Sequence, residues 1–287
     1  MINLTKANLY RLSRQPGTWV LLALAVINTG LACFSVGVLF GNEPWLSEYR
    51  QNVVEMMEQN GIDLASALSN IAIRIDNSFD FTAFGMLAGT GLLLNPPVLM
   101  IFFITSFVLR DRTFGFSKNL IPAFSRNQLE AGQMLVIFIH SACAAAAGAL
   151  PGLLLYRSFF TETAAGGNVF RFLLFLLIMA LLIFDIGLFV HLLTGLFKRP
   201  LAGALLSLLY FTLGASLVYS LLTSVLSSIF RRTVPVQAFT PYGCLSTIIY
   251  SDDAALIRCG LTALLYGVLL ILLRFYSVKN KALKDAI

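Results

Sequence analysis

The chain of 287 residues is 58% hydrophobic and only 12% charged, with a formal net charge of +6 and a mean hydropathy of +0.83. A soluble domain carries about 25% charged residues, and at this length its core would be too small for so much apolar surface, which excludes a water-soluble fold. The positive charge does not indicate nucleic-acid binding, because no soluble basic patch accompanies it.

The apolar runs predict a single all-α integral membrane domain, residues 1–287, with six transmembrane helices. Each run reaches the roughly 20 residues needed to cross about 30 Å of hydrocarbon. The first is too long for the apolar core of a cleavable signal peptide. Between the fourth and fifth runs, Pro200 breaks the helix and predicts an antiparallel pair. The predicted spans are 18–40, 82–109, 134–156, 172–197, 201–222 and 256–276.

Residues 1–17, ahead of the first span, have the pattern of a basic amphipathic helix lying in the membrane interface. Apolar side chains share one helical stripe, and basic side chains are expected to stay in water. A merely charged tail is the alternative. The stripe consists of Leu4, Ala7, Leu9 and Leu12, and the basic side chains are Lys6, Arg11 and Arg14.

Three further segments lie between spans. The first, 41–81, is a predicted outer loop with helical spacing over 53–74. The second, 110–133, is the largest inner segment and predicts a cytoplasmic helix-turn-helix. The third, 223–255, holds two short apolar stretches separated by basic residues and prolines. It predicts a re-entrant helical hairpin, with an ordinary loop as the alternative, and its Cys244 either pairs with Cys259 in the next span or stays a thiol.

The basic residues orient these spans. Thirteen of the 20 Lys and Arg fall in one alternating set of loops and seven in the other, which also holds ten of the 14 acids. Because cytoplasmic loops carry the basic excess, we expect both termini to be cytoplasmic in a multi-pass protein of the cell membrane.

The motif search predicts that the chain is no enzyme. It lacks a phosphate-binding G-x-x-x-x-G-K-[ST] loop and the H-E-x-x-H, C-x-x-C and G-x-S-x-G patterns. His140 and His191 lie in apolar spans and are expected to be ordinary bundle residues.

Inside the spans, Asp185 is the one acid deep in an apolar run, so we expect it to face the bundle or a wet cavity. It is either a polar point in a transport path or a packing partner. Small residues at Gly85, Gly89 and Gly148 indicate close helix contacts.

Several of these features resemble one family. Residues 3–14 run straight into the first span, Phe239-Thr240-Pro241 precede the last, and the inner segment carries a charged motif. That motif comprises Asp111-Arg112-Thr113-Phe114-Gly115, Lys118-Asn119-Leu120 and Ser125-Arg126. Together with six spans, they resemble the permease subunits of type 2 ABC transporters, the bacterial exporter-type membrane domains. In that family the region like residues 3–14 is the elbow helix. The inner segment is the coupling helix that contacts the ATPase, and the region with Phe239-Thr240-Pro241 is the re-entrant hairpin.

The resemblance implies which residues couple to the ATPase and which partners the chain has. Asp111 stands where the family has Glu, and Phe116 where it has Thr, so the contact geometry is expected to differ. No cofactor is implied in this chain, since a separate ATPase subunit binds ATP and Mg and hydrolyses the nucleotide. A second transmembrane subunit, identical or different, completes the pore in the bilayer. The implied coupling residues are Asp111, Gly115, Phe116, Lys118, Asn119, Leu120 and Arg126.

Two classes of function remain open. The first is the membrane half of an ATP-driven exporter, and its apolar spans favour a hydrophobic or amphipathic cargo such as a peptide, an antimicrobial or a drug-like molecule. The second is a non-transporting sensor or assembly subunit on the same scaffold.

Overall fold

The computed structural model of the chain is built of helices, and the longest of them coincide with predicted apolar runs. Within the ranges that the structure describes, every regular element is a helix, which confirms the all-α prediction. The described residues are 2–40, 46–59, 82, 85–86, 96–114, 124–160, 169–197, 199–248 and 253–284.

The described elements follow one another as α-helices, with a π-helical turn and a 3-10 turn near the end. The α-helices are α1 (Ile2–Ser13), α2 (Pro16–Phe40), α3 (Leu46–Gln59), α4 (Pro96–Phe114), α5 (Arg126–Phe159), α6 (Val169–Leu196), α7 (Pro200–Leu209), α8 (Ala215–Phe230), α9 (Pro241–Thr247) and α10 (Asp253–Lys284). The π turn is Tyr210–Gly214, between α7 and α8, and the 3-10 turn is Val236–Phe239, before α9.

Four helices of the described chain are long and apolar enough to cross a membrane, and a fifth span results if the bent α7–α8 pair counts as one. These four candidate spans are Pro16–Val38, Arg126–Phe159, Val169–Leu196 and Asp253–Lys279. Their lengths of 23, 34, 28 and 27 residues match or exceed the roughly 20 residues that a span needs. The chain therefore has the helices of a membrane protein.

The predicted second span, 82–109, lies only partly within the described residues. Thr82, Gly85 and Met86 are helical, and α4 covers 96–114. Residues 83–84 and 87–95 fall outside the description, so six spans remain a prediction.

The fifth predicted span, 201–222, differs from the straight helix that its apolar sequence suggested. Its two halves meet at an angle of 58° across the π turn. The helix also continues beyond residue 222 to Phe230, because no helix-breaking residue occurs there, and Arg231 ends it with a left-handed backbone (φ 51°). The apolar stretch before Arg231, which was expected to be a separate arm of a hairpin, is therefore the end of α8.

α6 is the central helix of the bundle. It packs against α4, α5, α7, α9 and α10, while α5 also packs against α2. Phe175, Met179 and Leu182 of α6 are fully buried, whereas Leu154 of α5 and Leu265 of α10 are more than 70% exposed. Large apolar side chains on the outer surface suit a lipid environment.

Small residues allow close approach where α2 and α5 meet Thr82, Gly85 and Met86. A methyl group on Gly85 would collide with the Cys33 sulfur on α2, and one on Gly148 would lie 3.0 Å from the Met86 Cε atom. Two of the three predicted packing glycines thus stand at helix contacts, and Gly89 lies outside the described residues.

The predicted amphipathic helix at the N-terminus is present as α1, which packs against α5. Leu4 and Asn8 of α1 cover Gly132, where an added methyl group would lie 3.0 Å from Leu4 and 3.1 Å from Asn8. Lys6 and Arg14 are exposed as expected. Arg11 is not: it turns into the bundle and forms an ion pair, which corrects the prediction that it stays in water.

Candidate functional site

The first candidate site is a set of charged side chains where α1 meets the end of α4. The Arg11 Nη1 atom donates to Asp111 Oδ1 over 3.0 Å, and Nη2 donates to the Phe107 carbonyl oxygen over 2.8 Å. The guanidinium also lies 4.4 Å from the centre of the Phe107 ring, within range of a cation–π contact. Both ionic side chains are only 14% exposed, so the ion pair is largely shielded from water.

A second buried ion pair joins α5 to α10. Arg274 donates from Nε to Glu130 Oε2 over 2.9 Å and from Nη2 to Oε1 over 2.8 Å, a two-pronged contact. His191 of α6 lies against the same carboxylate, with Nε2 3.2 Å from Oε2. The absence of a side chain at Gly195 leaves room for the guanidinium, since a methyl group there would collide with Arg274.

These two ion pairs are grouped as one cluster because α1, which carries Arg11, packs against Gly132 of α5, two residues from Glu130. The cluster is called the polar network below. Its members come from α1, α4, α5, α6 and α10. Four of them had been predicted in cytoplasmic segments or at a cytoplasmic span end, whereas His191 had been predicted inside the fourth span. The polar network consists of Arg11, Asp111, Glu130, His191 and Arg274.

Only two of the predicted ATPase-coupling residues are described. Asp111 points toward α1 through its ion pair with Arg11. Arg126 is exposed at the first position of α5, inside the capping box in which Ser125 and Gln128 bond to each other's backbone. The other five lie outside the described residues, in the segment between α4 and α5: Gly115, Phe116, Lys118, Asn119 and Leu120.

The second candidate site is a cavity of about 180 Å³ beside Asp185, in the middle of α6. Asp185 lines this cavity and is only 1% exposed. Within the described part of the chain, neither of its carboxylate oxygens has a hydrogen-bond partner. Gly267 of α10 faces the carboxylate, and a methyl group there would lie 2.9 Å from Oδ1. Asp185 therefore faces the interior of the bundle and lines a cavity there.

Aromatic side chains dominate the rest of this cavity wall, which is called the aromatic cavity below. Tyr210 contacts two of the other rings: its ring centre lies 5.2 Å from that of Phe189 and 5.1 Å from that of Phe211. Its hydroxyl group is 2.6 Å from the Tyr219 hydroxyl. The aromatic residues among the lining are Phe189, Tyr210, Phe211, Tyr219, Tyr242 and Tyr266.

Sequence reasoning missed Glu130 and Arg274 as a pair. They are 144 positions apart, and each had been assigned to a loop or a span end by its charge alone. Arg274, counted among the cytoplasmic basic residues, is 7% exposed inside the bundle. One signal pointed to them: each is a charged residue within a turn or two of a long apolar run, where charge is costly without a partner.

The remaining sequence candidates lie in the bundle. His140 is buried and stacks on Phe103 with ring centres 3.6 Å apart. Among the described residues, no three His, Cys, Asp or Glu side chains come together in a way that could hold a metal ion. Cys244 and Cys259 are both buried thiols, not joined by a disulfide.

In comparisons with known proteins, no protein-family model, no curated protein and no solved structure matches this chain.

Proposed function

We propose that the chain is the transmembrane permease subunit of an ATP-driven exporter of the type 2 ABC class. A separate ATPase subunit binds Mg and ATP and hydrolyses the nucleotide, and a second transmembrane subunit, identical or different, completes the pore. Both termini face the cytoplasm, the C-terminal end of α8 and the short helix α9 form the two arms of the re-entrant hairpin, and the cargo is hydrophobic or amphipathic.

The observation that carries this proposal is the polar network. Its Arg11–Asp111 pair ties α1, the proposed elbow helix, to the end of α4, and Glu130 ties the start of α5 to α6 and α10. The helices α4 and α5 flank residues 115–123, the core of the proposed coupling segment. Asp111 lies four positions before that segment, and Glu130 lies seven positions after it. A force applied to the segment by a docked ATPase would reach α4 and α5 directly, and the ion pairs of the network would pass it on to α6 and α10.

The central helix connects the polar network to the aromatic cavity. His191 and Asp185 both belong to α6 and stand six residues apart, about 9 Å along the helix axis. A movement of α6 relative to α10 would change both sites together, since α10 provides Arg274 to one and Gly267 to the other. This is an arrangement that an energy-coupled transporter needs.

The test of the proposal is co-purification with ATP hydrolysis. We expect the tagged full chain, isolated from its native membrane in mild detergent, to bring down an ATPase. Replacing Phe116 and Leu120 together with Ser is expected to abolish the co-purified ATPase activity while the chain stays monodisperse, because apolar side chains on the proposed cytoplasmic segment would serve as docking contacts.

A matched control replaces one Phe and one Leu at the other proposed cytoplasmic turn. Phe197→Ser with Leu201→Ser changes two exposed side chains, 38% and 58% accessible, outside the docking segment, and is expected to keep the ATPase. If the wild-type chain brings down no ATPase, the non-transporting sensor or assembly subunit is the better function. If both double variants lose it equally, residues 115–123 are not the docking site.

The orientation is tested by thiol labelling of intact cells. Single cysteines at Glu48 and Lys279, both exposed, probe opposite sides of the proposed topology. A membrane-impermeant maleimide is expected to label Glu48→Cys without lysis and Lys279→Cys only after lysis. Labelling of Lys279→Cys in intact cells would place the C-terminus outside and contradict the proposal.

A further inference from the structure

The aromatic cavity combines two features that rarely occur together inside an apolar bundle. One is a ring of aromatic side chains contributed by α6, α9, α10, the π turn and α8. The other is the acidic residue Asp185, which is 99% buried and whose carboxylate oxygens have no hydrogen-bond partner within the described residues. Each feature suggests a property of the ligand, and the two properties agree.

The carboxylate suggests a positive charge. An isolated ionised carboxylate in an apolar interior is strongly unfavourable and needs neutralisation by a proton or by a cation. No Lys or Arg side chain is among the described residues that line the cavity. Arg274, the buried cation on the helix α10 that also lines the cavity, already makes two hydrogen bonds to Glu130. A cationic ligand that enters the cavity would supply the missing charge across a short distance.

The aromatic wall suggests that this cation is organic. Tyr and Phe rings attract cations through the negative face of the π-system, and rings arranged around one space are the usual recognition element for quaternary ammonium groups. A hard metal ion instead requires six or more oxygen ligands, whereas the lining offers one carboxylate and the tyrosine hydroxyls, two of which, on Tyr210 and Tyr219, bond to each other.

The volume limits the size. An apolar cavity of roughly 150 Å³ accommodates benzene, so about 180 Å³ accepts a single small cationic group and not a whole peptide. A larger amphipathic molecule would have to place only its charged end here.

From these observations we propose that the aromatic cavity is a binding site for a small organic cation of the quaternary ammonium type, held by the rings and neutralised by Asp185. Binding itself does not depend on the exporter assignment. That the bound cation is the cargo, or the charged end of it, rests on the proposed function.

The experiment is calorimetric titration of the purified full chain in detergent, without any ATPase. Choline chloride is the probe. Its control is the uncharged carbon analogue in which a tert-butyl group replaces the trimethylammonium group. We expect choline to bind at least about tenfold more tightly than the analogue, because the two have the same shape and differ in charge.

Variants of the cavity separate charge from shape. Asp185→Asn is expected to remove the preference for choline, and the matched variant Asp253→Asn, at an exposed acid on the same bundle, is expected to keep it. Tyr266→Phe retains a ring and is expected to bind choline nearly as well as the wild type, whereas Tyr266→Leu weakens binding by about tenfold. The Tyr266 pair keeps the test decisive if Asp185→Asn does not fold.

Three results would overturn the proposal: no choline binding by the wild-type chain, equal affinity for choline and its uncharged analogue, or unchanged preference in a folded Asp185→Asn variant. These results are independent of the exporter assignment. Choline binding by a chain that recruits no ATPase would leave the site standing and remove the export function, and ATPase recruitment by a chain that does not bind choline would do the reverse.

Discussion

The polar network and the aromatic cavity place acidic side chains in the same bundle under opposite conditions. Glu130 receives two hydrogen bonds from Arg274 and lies against His191. Asp185, six residues before His191 on the same helix, has no hydrogen-bond partner within the described ranges. A glycine stands at each site: Gly195 makes room for Arg274, the partner of Glu130, and Gly267 makes room for the Asp185 carboxylate itself.

This difference in hydrogen bonding indicates a different role for each acid. A paired charge in a low-dielectric interior fixes the relative position of helices, and removing one partner leaves the other uncompensated. A charge without a protein partner contributes nothing to that position and costs stability, so its place in the bundle needs another reason, which a ligand provides. The comparison therefore supports the two proposals, mechanical coupling through the polar network and ligand recognition in the aromatic cavity.

The largest expected effect comes from neutralising the paired acid. Glu130→Gln preserves the shape of the side chain but leaves the Arg274 guanidinium, whose side chain is 9% exposed, without its counter-charge. Breaking a buried ion pair in this way costs several kcal/mol, and we expect a loss of about 3 kcal/mol in the free energy of unfolding. Thermal denaturation in detergent measures it, with the exposed Glu48→Gln as the control.

If Glu130→Gln is no less stable than Glu48→Gln, the polar network does not hold the helices together, and the contrast with Asp185 disappears.

The second effect compares the two glycines that accommodate these side chains. Gly195→Ala places a methyl group against the Arg274 guanidinium and is expected to cost about 1–3 kcal/mol through overpacking and disturbance of the ion pair. Gly267→Ala places one 2.9 Å from Asp185 Oδ1, where the carboxylate can move toward the cavity, so we expect a clearly smaller cost. The gain of helix propensity from Gly to Ala, roughly 1 kcal/mol, is common to both and cancels in the difference.

Thermal denaturation of the two variants side by side decides the point. Equal destabilisation would mean that Asp185 is held as tightly as Arg274, which would contradict its assignment to a ligand site.

The sequence predicted much of the bundle because long apolar runs have one structural solution in lipid. The helices α2, α5, α6 and α10 coincide with predicted spans, and α1 follows from its own leucine stripe. The 58° bend at Tyr210–Gly214 was not predictable, since nothing in an apolar sequence marks a π turn. The helix end at residue 222 was wrong for a related reason: polar Thr and Ser residues there interrupt the hydropathy without interrupting the helix.

The residues of the candidate sites likewise divide into those that the sequence could predict and those that it could not. Asp185 could be singled out because an acid in the middle of an apolar run can be recognised from the sequence alone. Its aromatic surroundings could not, because Tyr210, Tyr219 and Tyr266 look like ordinary members of apolar helices until the bend brings them together. The Glu130–Arg274 pair depends on contact between residues 144 positions apart, which hydropathy and charge counting do not encode.

The smallest expected effect, and the one that most sharpens the comparison, is that of neutralising the other acid. Asp185→Asn is the counterpart of Glu130→Gln: each variant replaces a carboxylate by an amide of the same shape on a neighbouring helix of one bundle. Because Asp185 has no protein partner in the described part of the chain, the substitution strands no opposite charge, and it removes an ionisable group from an apolar interior. We expect the free energy of unfolding to stay within about 1 kcal/mol of wild type, with any change toward greater stability. Thermal denaturation without ligand measures this, and addition of choline is then expected to raise the Tm of the wild type and not of Asp185→Asn. A loss as large as that of Glu130→Gln would show that Asp185 holds the bundle together, and the two acids would then serve the same purpose.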